Sequence, residues 1–374
     1  MIVLPFFLGL AAVFTGLTQA VPTSKDKRSF VERNGVTYNV FEHSATGAKL
    51  EFVTNSGVCE TTPGVKQHSG YLSVGNNMNM FFWFFEARED PTTAPLVAWF
   101  NGGPGCSSMI GLFQENGPCK FELGGDGKQP VNNTFSFNNY ANMLYIDQPI
   151  GVGFSYGFNN VNSTETAAPL VWRLIQAFYS SFPEYKSREF GIFTESYGGH
   201  YAPQFAKYIL EQNKVKTSEK INLVALGINN GWHDSKIQTK AYIDFSVSNN
   251  YKQVIDAKLG KSYMDRYMKE CVPALDKCEK SGSITDCKNA DRICYNGVEW
   301  PLSMGDFDVY DIRKPRNNPE PPKTYSTYLN DPEIMRRIGA NAKKFEDCTE
   351  DSYRQFTSTG DSKFIIQECG DNVV

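Results

Sequence analysis

Phe190-Gly191-Ile192-Phe193-Thr194-Glu195-Ser196-Tyr197-Gly198-Gly199-His200-Tyr201 packs a strand, a turn and the start of a helix into one stretch. The run Phe190 to Thr194 is short, continuous and apolar, which is how a strand covered on both faces of a sheet reads. Two glycines follow, and from Tyr201 to Leu210 the apolar residues recur with helical spacing. A serine at such a strand-to-helix corner has the context of a nucleophile elbow, where a tight, strained turn lifts the hydroxyl clear of the sheet. That turn requires small residues two positions either side of the serine. Gly198 meets the requirement and Thr194 does not, so G-x-S-x-G is T-x-S-x-G here. Alone, the segment is equally well an ordinary strand-to-helix turn.

A second segment shifts the balance: Trp99-Phe100-Asn101-Gly102-Gly103-Pro104-Gly105-Cys106-Ser107-Ser108, at the end of the apolar run Leu96 to Phe100. Acyl transfer needs two fixed backbone N–H donors for the oxyanion of a tetrahedral intermediate, and glycines let the main chain approach a carbonyl closely. Gly103 and Tyr197 are the expected donors, with Ser196 as nucleophile. Further strands are expected at Lys49 to Val53, Gly70 to Val74, Asn79 to Glu86, Met143 to Asp147 and Ile221 to Ile228, several of them centrally buried, and a helix at Thr166 to Phe182. The alternation predicts an α/β core with a mostly parallel sheet over residues 21–248. Residues 249–322 break the pattern. Cys271, Cys278, Cys287 and Cys294 are evenly spaced and precede a proline-rich run, so the segment reads as a disulfide-stapled insertion with three possible pairings. Residues 323–374 read as an incomplete return to the core.

Composition narrows the function. The chain has 374 residues, 37 Lys and Arg against 41 Asp and Glu, and 41% hydrophobic residues, so it can bury a sizeable core. Near-neutrality argues against a nucleic-acid partner. Residues 1–20 carry no charge and end in small or polar residues, as a secretory signal peptide does, and no later segment is apolar enough to span a bilayer. Nine cysteines and the sequons at Asn132 and Asn162 agree with an oxidising, glycosylating route, to an extracellular or vacuolar location.

Taken with Gly64-Val65-Lys66-Gln67-His68-Ser69-Gly70-Tyr71, Phe82-Trp83-Phe84-Phe85-Glu86, Gln114-Glu115-Asn116-Gly117-Pro118, Tyr145 to Tyr156 and Val309-Tyr310-Asp311-Ile312-Arg313, these motifs resemble the fungal secreted serine carboxypeptidases of the α/β-hydrolase fold. The resemblance covers roughly Thr61 to Asp361. It implies hydrolysis of C-terminal residues from peptides through an acyl-enzyme on Ser196, without metal or cofactor. It also implies that Asn101, Gly102, Glu115 and Glu195 bind the substrate's carboxylate and that Trp99 walls the pocket. Two carboxyls held together resist double ionisation, which predicts a preference for acidic pH. Cys106 is expected to pair with Cys348 and Cys59 with Cys119, leaving Cys369 over.

The sequence departs from the family after the elbow. A triad in the order Ser, Asp, His needs a histidine beyond Ser196, and only His200 and His233 follow, at positions that are not catalytic in the family. The chain stops before the strand expected to bear the Asp and before the family's G-H-x-V-P segment. Asp371 lacks the flanking residues of that strand. Two other readings therefore stand beside the peptidase: a noncatalytic protein that binds peptide C-termini, and an esterase or acyltransferase on the same fold.

Overall fold

The computed structural model of the chain describes residues 26–359 apart from 44–47, 123–124, 126, 216–217, 318–322 and 343. The expected signal peptide, Cys369 and Asp371 lie outside the described residues.

A ten-stranded sheet forms the backbone of the described molecule. It opens with β1 (Lys27–Arg33) and β2 (Val36–Glu42), a hairpin turned at Asn34 and Gly35 with φ of 51° and 71°. Positive φ at both turn positions is what the twist of a two-residue hairpin demands. There follow β3 (Lys49–Thr54), β4 (Gln67–Gly75), β5 (Met78–Phe85), β6 (Leu96–Phe100) with the short helix α1 (Met109–Gln114) after it, β7 (Asn142–Ile146), β8 (Phe190–Glu195) and β9 (Leu223–Asn229). The spatial order is β1-β2-β3-β4-β5-β7-β6-β8-β9, with the short strand Tyr156–Gly157 beside β5. Pairing is parallel among β7, β6, β8 and β9 and antiparallel from β1 through β5 to β7. The sheet is thus mixed, and its parallel part carries the elbow.

Side chains alternate across the sheet, so one strand feeds two cores. From β5, Phe82 and Phe84 point into a cluster with α2 (Thr164–Ser181) and α3 (Gly198–Gln212), while Phe81, Trp83 and Phe85 enter a second cluster on the other face. All five are fully buried, which explains why this strand reads as a continuous aromatic run rather than an alternating one. A third cluster gathers Ile243, Tyr267, Cys271, Cys294, Val298 and Leu302 from a set of helices that includes α4 (Ser235–Val247), α5 (Ala257–Arg266), α6 (Val272–Ser281) and α7 (Ile284–Cys294). Its bridges are nested, Cys278–Cys287 inside Cys271–Cys294, which selects one of the three open pairings. The other two bridges are Cys59–Cys119 and Cys106–Cys348.

The expectation of central burial for Ile221 to Ile228 is corrected. Among the described residues β9 pairs only with β8, and Val224 is 41% exposed. Apolar continuity does not report whether a layer covers both faces of a strand: within β9, Leu223 and Leu226 are buried while Val224 faces outward.

Cys106–Cys348 closes a loop of 242 residues. Replacing both cysteines by serine is expected to lower stability by about 4 kcal/mol. Denaturant unfolding, with the m-value fitted separately for each protein because the freed denatured chain exposes more surface, checks this, and a loss under about 1 kcal/mol would show that the segments stay docked without the bridge.

Candidate active site

Ser196 occupies the corner between β8 and α3 with φ of 55°, a left-handed conformation that costs a serine free energy and has to be held by its surroundings. The holding is done by β9 and the turn after it. Ser196 N donates to Asn229 O at 3.1 Å and Asn230 Oδ1 at 3.2 Å, and Ser196 O accepts from Gly199 N at 3.0 Å and Trp232 N at 2.8 Å. Thr194, where a glycine was expected, is buried and donates its hydroxyl to Phe100 O at 2.7 Å, tying β8 to the end of β6. Gly198 makes room for it: a Cβ there would stand 1.6 Å from Thr194 Oγ1. Gly198→Ala is therefore expected to destabilise the fold by roughly 3 kcal/mol, the upper end of ordinary overpacking. Thermal unfolding measures it, and a wild-type melting temperature would mean the turn has slack.

The loop after β6 lies directly against this corner. A Cβ on Gly102 would come within 2.5 Å of Tyr197 N, 2.7 Å of Glu195 O and 2.8 Å of Ser196 Cβ, so only glycine permits the approach. Gly103 and Gly105 have φ of 111° and 88°, and the Gly103–Pro104 peptide is cis. The loop is clamped from behind by the return of the chain: Ser107 N donates to Asp347 O at 2.7 Å, Thr349 N to Gly105 O at 3.0 Å, and Cys106–Cys348 joins the two covalently. Gly105 N also receives support from Tyr201 on α3, donating to its hydroxyl at 3.1 Å.

The structure brings Asn101, Glu115 and Glu195 together. Trp99 Nε1 and Gly111 N both donate to Asn101 Oδ1, at 2.8 Å and 2.9 Å, which fixes the amide with its NH2 outward. That NH2 reaches Glu195 Oε1 at 2.7 Å and Glu115 Oε1 at 3.4 Å. The two carboxyls lie close enough for each to shift the other's titration, which favours a single proton shared by the pair. Burial, then the neighbouring Glu195 charge, pushes the Glu115 carboxyl up to about 8, and burial raises Glu195 as well. Asn101 sits closer to Glu195, favouring the charge there and the proton on Glu115. Glu115 remains open to solvent and Glu195 is half-buried, so the recess can be reached from outside. Trp99 itself is buried, its indole packed edge-on to Phe137 at 6.2 Å, and acts on the recess through Asn101.

The chain's four histidines all fall among the described residues. His43 follows β2, and His68 is stacked between Phe84 and Phe182, where burial pushes its imidazole down to about 3. His200 lies on α3 with its ring 4.6 Å from that of Tyr197, and burial pushes it down to about 4. His233 is also lowered by burial. His200 and His233 both line a cavity of about 100 Å³ shared with Pro104, Tyr197, Trp232 and Glu299. Among the described residues no side chain accepts a hydrogen bond from Ser196 Oγ.

Sequence reading missed two contributors. Asn230, with φ of 41°, holds the nucleophile's N–H; the Asn229-Asn230-Gly231 triplet that ends β9 was its turn signal. Asp147 anchors the glycine loop from beneath and left no signal beyond its place at a strand end.

The serine carboxypeptidase family model matches residues 57–371. Carboxypeptidase S1 of Penicillium janthinellum is 62% identical over 317 residues, covering 83% of this chain and 74% of its own length. Carboxypeptidase Y homolog A of Talaromyces stipitatus is 40% identical over 305 residues, covering 80% of this chain and 54% of its own. In fold, the chain is similar to a prohormone-processing carboxypeptidase from Saccharomyces cerevisiae, with a TM-score of 0.63 at 23% identity, over 81% of this chain and 70% of that one. An α/β-hydrolase sheet bearing a serine elbow opposite a glycine loop defines the class, and the chain belongs to the serine carboxypeptidase family. It spans about half the length of the carboxypeptidase Y homologues it matches.

Proposed function

We propose that the chain recognises the free C-terminus of peptides in the Asn101, Gly102, Glu115 and Glu195 recess and presents the last peptide bond to Ser196, whose hydroxyl would form the acyl-enzyme once a base takes its proton. The observation that carries this reading is the Asn101 amide, fixed by Trp99 and Gly111 and aimed at a carboxyl pair beside the nucleophile. A substrate carboxylate there accepts from the Asn101 NH2, the Gly102 N–H and the protonated Glu115, charge-assisted bonds of the stronger kind. Gly103 and Tyr197 N–H groups receive the oxyanion, which would otherwise form without stabilisation. Proton removal from Ser196 needs a base, and no described side chain supplies one. That observation favours the second reading, in which this polypeptide binds C-termini without turning them over.

The wider setting belongs to the same proposal. The partners are peptide or protein C-termini met outside the cell or in the vacuole, and four disulfides together with exposed sequons at Asn132 and Asn162 fit that route. No helix among the described residues is long and apolar enough to cross a membrane.

The test is a calorimetric titration of the chain at about pH 5, within the range where one proton on the pair is expected, with a blocked dipeptide acid and with its C-terminal amide. The acid is expected to bind at least tenfold more tightly, and equal affinities would remove the carboxylate recess from the argument.

A further inference from the structure

The loop Asn101 to Ser108 carries the backbone groups assigned above to the substrate, yet it lies outside the main sheet, held by turns and by its bridge to residues 347–349. Beneath it, one residue past β7, lies Asp147, fully buried. Its Oδ1 accepts from Ser107 Oγ at 2.6 Å and Ser108 N at 3.0 Å, and its Oδ2 from Phe154 N at 2.9 Å. Each serine passes the constraint onward. Ser107 Oγ accepts from Met109 N at 3.1 Å, fixing the first turn of the helix Met109–Gln114, at whose far end stands Glu115. Ser108 Oγ donates to Ile146 O at 2.5 Å and accepts from Asn101 N at 3.4 Å. The fit is closed on the remaining side, since a Cβ on Gly153 would come within 2.2 Å of Asp147 Oδ2.

We infer that Asp147 is a positioning residue, a carboxyl that touches no substrate but sets the glycine loop and Glu115 in their places around Ser196. The inference rests on the carboxylate-recess reading above. Its physical ground is that three donors from two separate segments converge on one group, which only an acceptor-only side chain can satisfy. Among the described residues no cation stands beside that carboxyl, and a buried carboxyl without one is a poor way to stabilise a fold. What the arrangement secures is the path of the loop. Asparagine is the same shape with one acceptor exchanged for a donor, so it must set an NH2 against either Phe154 N–H or the two serines.

The experiment uses Asp147→Asn and Ser107→Ala in the full chain, read by titration with the blocked dipeptide acid and its amide, by thermal unfolding, and by amide exchange at Gly102 and Gly103. The Asp147→Asn protein is expected to unfold cooperatively, to lose at least tenfold of its preference for acid over amide, and to exchange the two glycine amides faster. Ser107→Ala, which leaves two of the three donors, is expected to fall between it and wild type. A folded Asp147→Asn protein with wild-type preference and loop protection overturns the inference. Should that variant fail to fold, Ser107→Ala decides, and an unchanged preference and exchange rate overturn it. Wild-type protein that binds acid and amide alike sinks the recess reading instead, and glycine exchange then still reads the role of Asp147.

Discussion

Expressed as Val21 to Val374, the polypeptide is expected to release C-terminal residues roughly a millionfold more slowly than a serine hydrolase with a complete triad. The four histidines are accounted for: His68 is locked between aromatic rings, His200 is buried against Tyr197, His233 shares its cavity, and His43 lies beyond β2. Among the described residues none accepts a hydrogen bond from Ser196 Oγ, so the hydroxyl is expected to stay protonated, leaving binding and oxyanion stabilisation. The measurement is amino-acid release from a blocked dipeptide at acidic pH, with Ser196→Ala alongside. Both proteins are expected to show the same small residue of activity. Robust turnover that disappears in Ser196→Ala would refute this and would require a base from His200, His233 or a second polypeptide.

Peptide binding should follow the proton held by the carboxyl pair. Glu115 is raised, so below its raised value it carries a proton and donates to the bound carboxylate; as pH climbs through that value it becomes a second anion facing the ligand. Hydration on its exposed side tempers the shift, making about 8 the upper end of the transition. Affinity for the dipeptide acid is expected to hold level in acid and to fall about tenfold per pH unit once the pair loses its proton. Glu115→Gln keeps a donor that cannot ionise, so it should bind in acid and lose most of this dependence. A wild-type affinity that is flat from pH 5 to 9, a span of about four units over which the pair should lose its proton, would show that the pair holds no proton relevant to the ligand.

The elbow and the glycine loop were legible because their chemistry is local. A left-handed serine needs small neighbours, and the glycines of the loop at Gly102 and Gly103 need to be where no Cβ fits. Thr194 broke the expected pattern, and its reason is tertiary: its hydroxyl satisfies Phe100 O across two strands, which no local pattern encodes. The hairpin of β1 and β2 was legible yet unread, since Asn34-Gly35 between alternating residues is a strong turn signal. The nested bridges in the helical segment were not legible, because even spacing fits every pairing.

Asn101 Oδ1 already takes two donors, the full capacity of its lone pairs. The side chain therefore cannot rotate to offer its oxygen outward, and the recess has a fixed polarity that no ligand can induce it to reverse. A single atom sets that polarity. With aspartate at the same position, the inner oxygen would keep Trp99 and Gly111 while the outer one faced Glu115 and Glu195, and three carboxyl groups would then converge on one point. Such a cluster rejects anions and collects protons or metal cations, so Asn101→Asp would exchange a receptor for peptide ends for a cation trap.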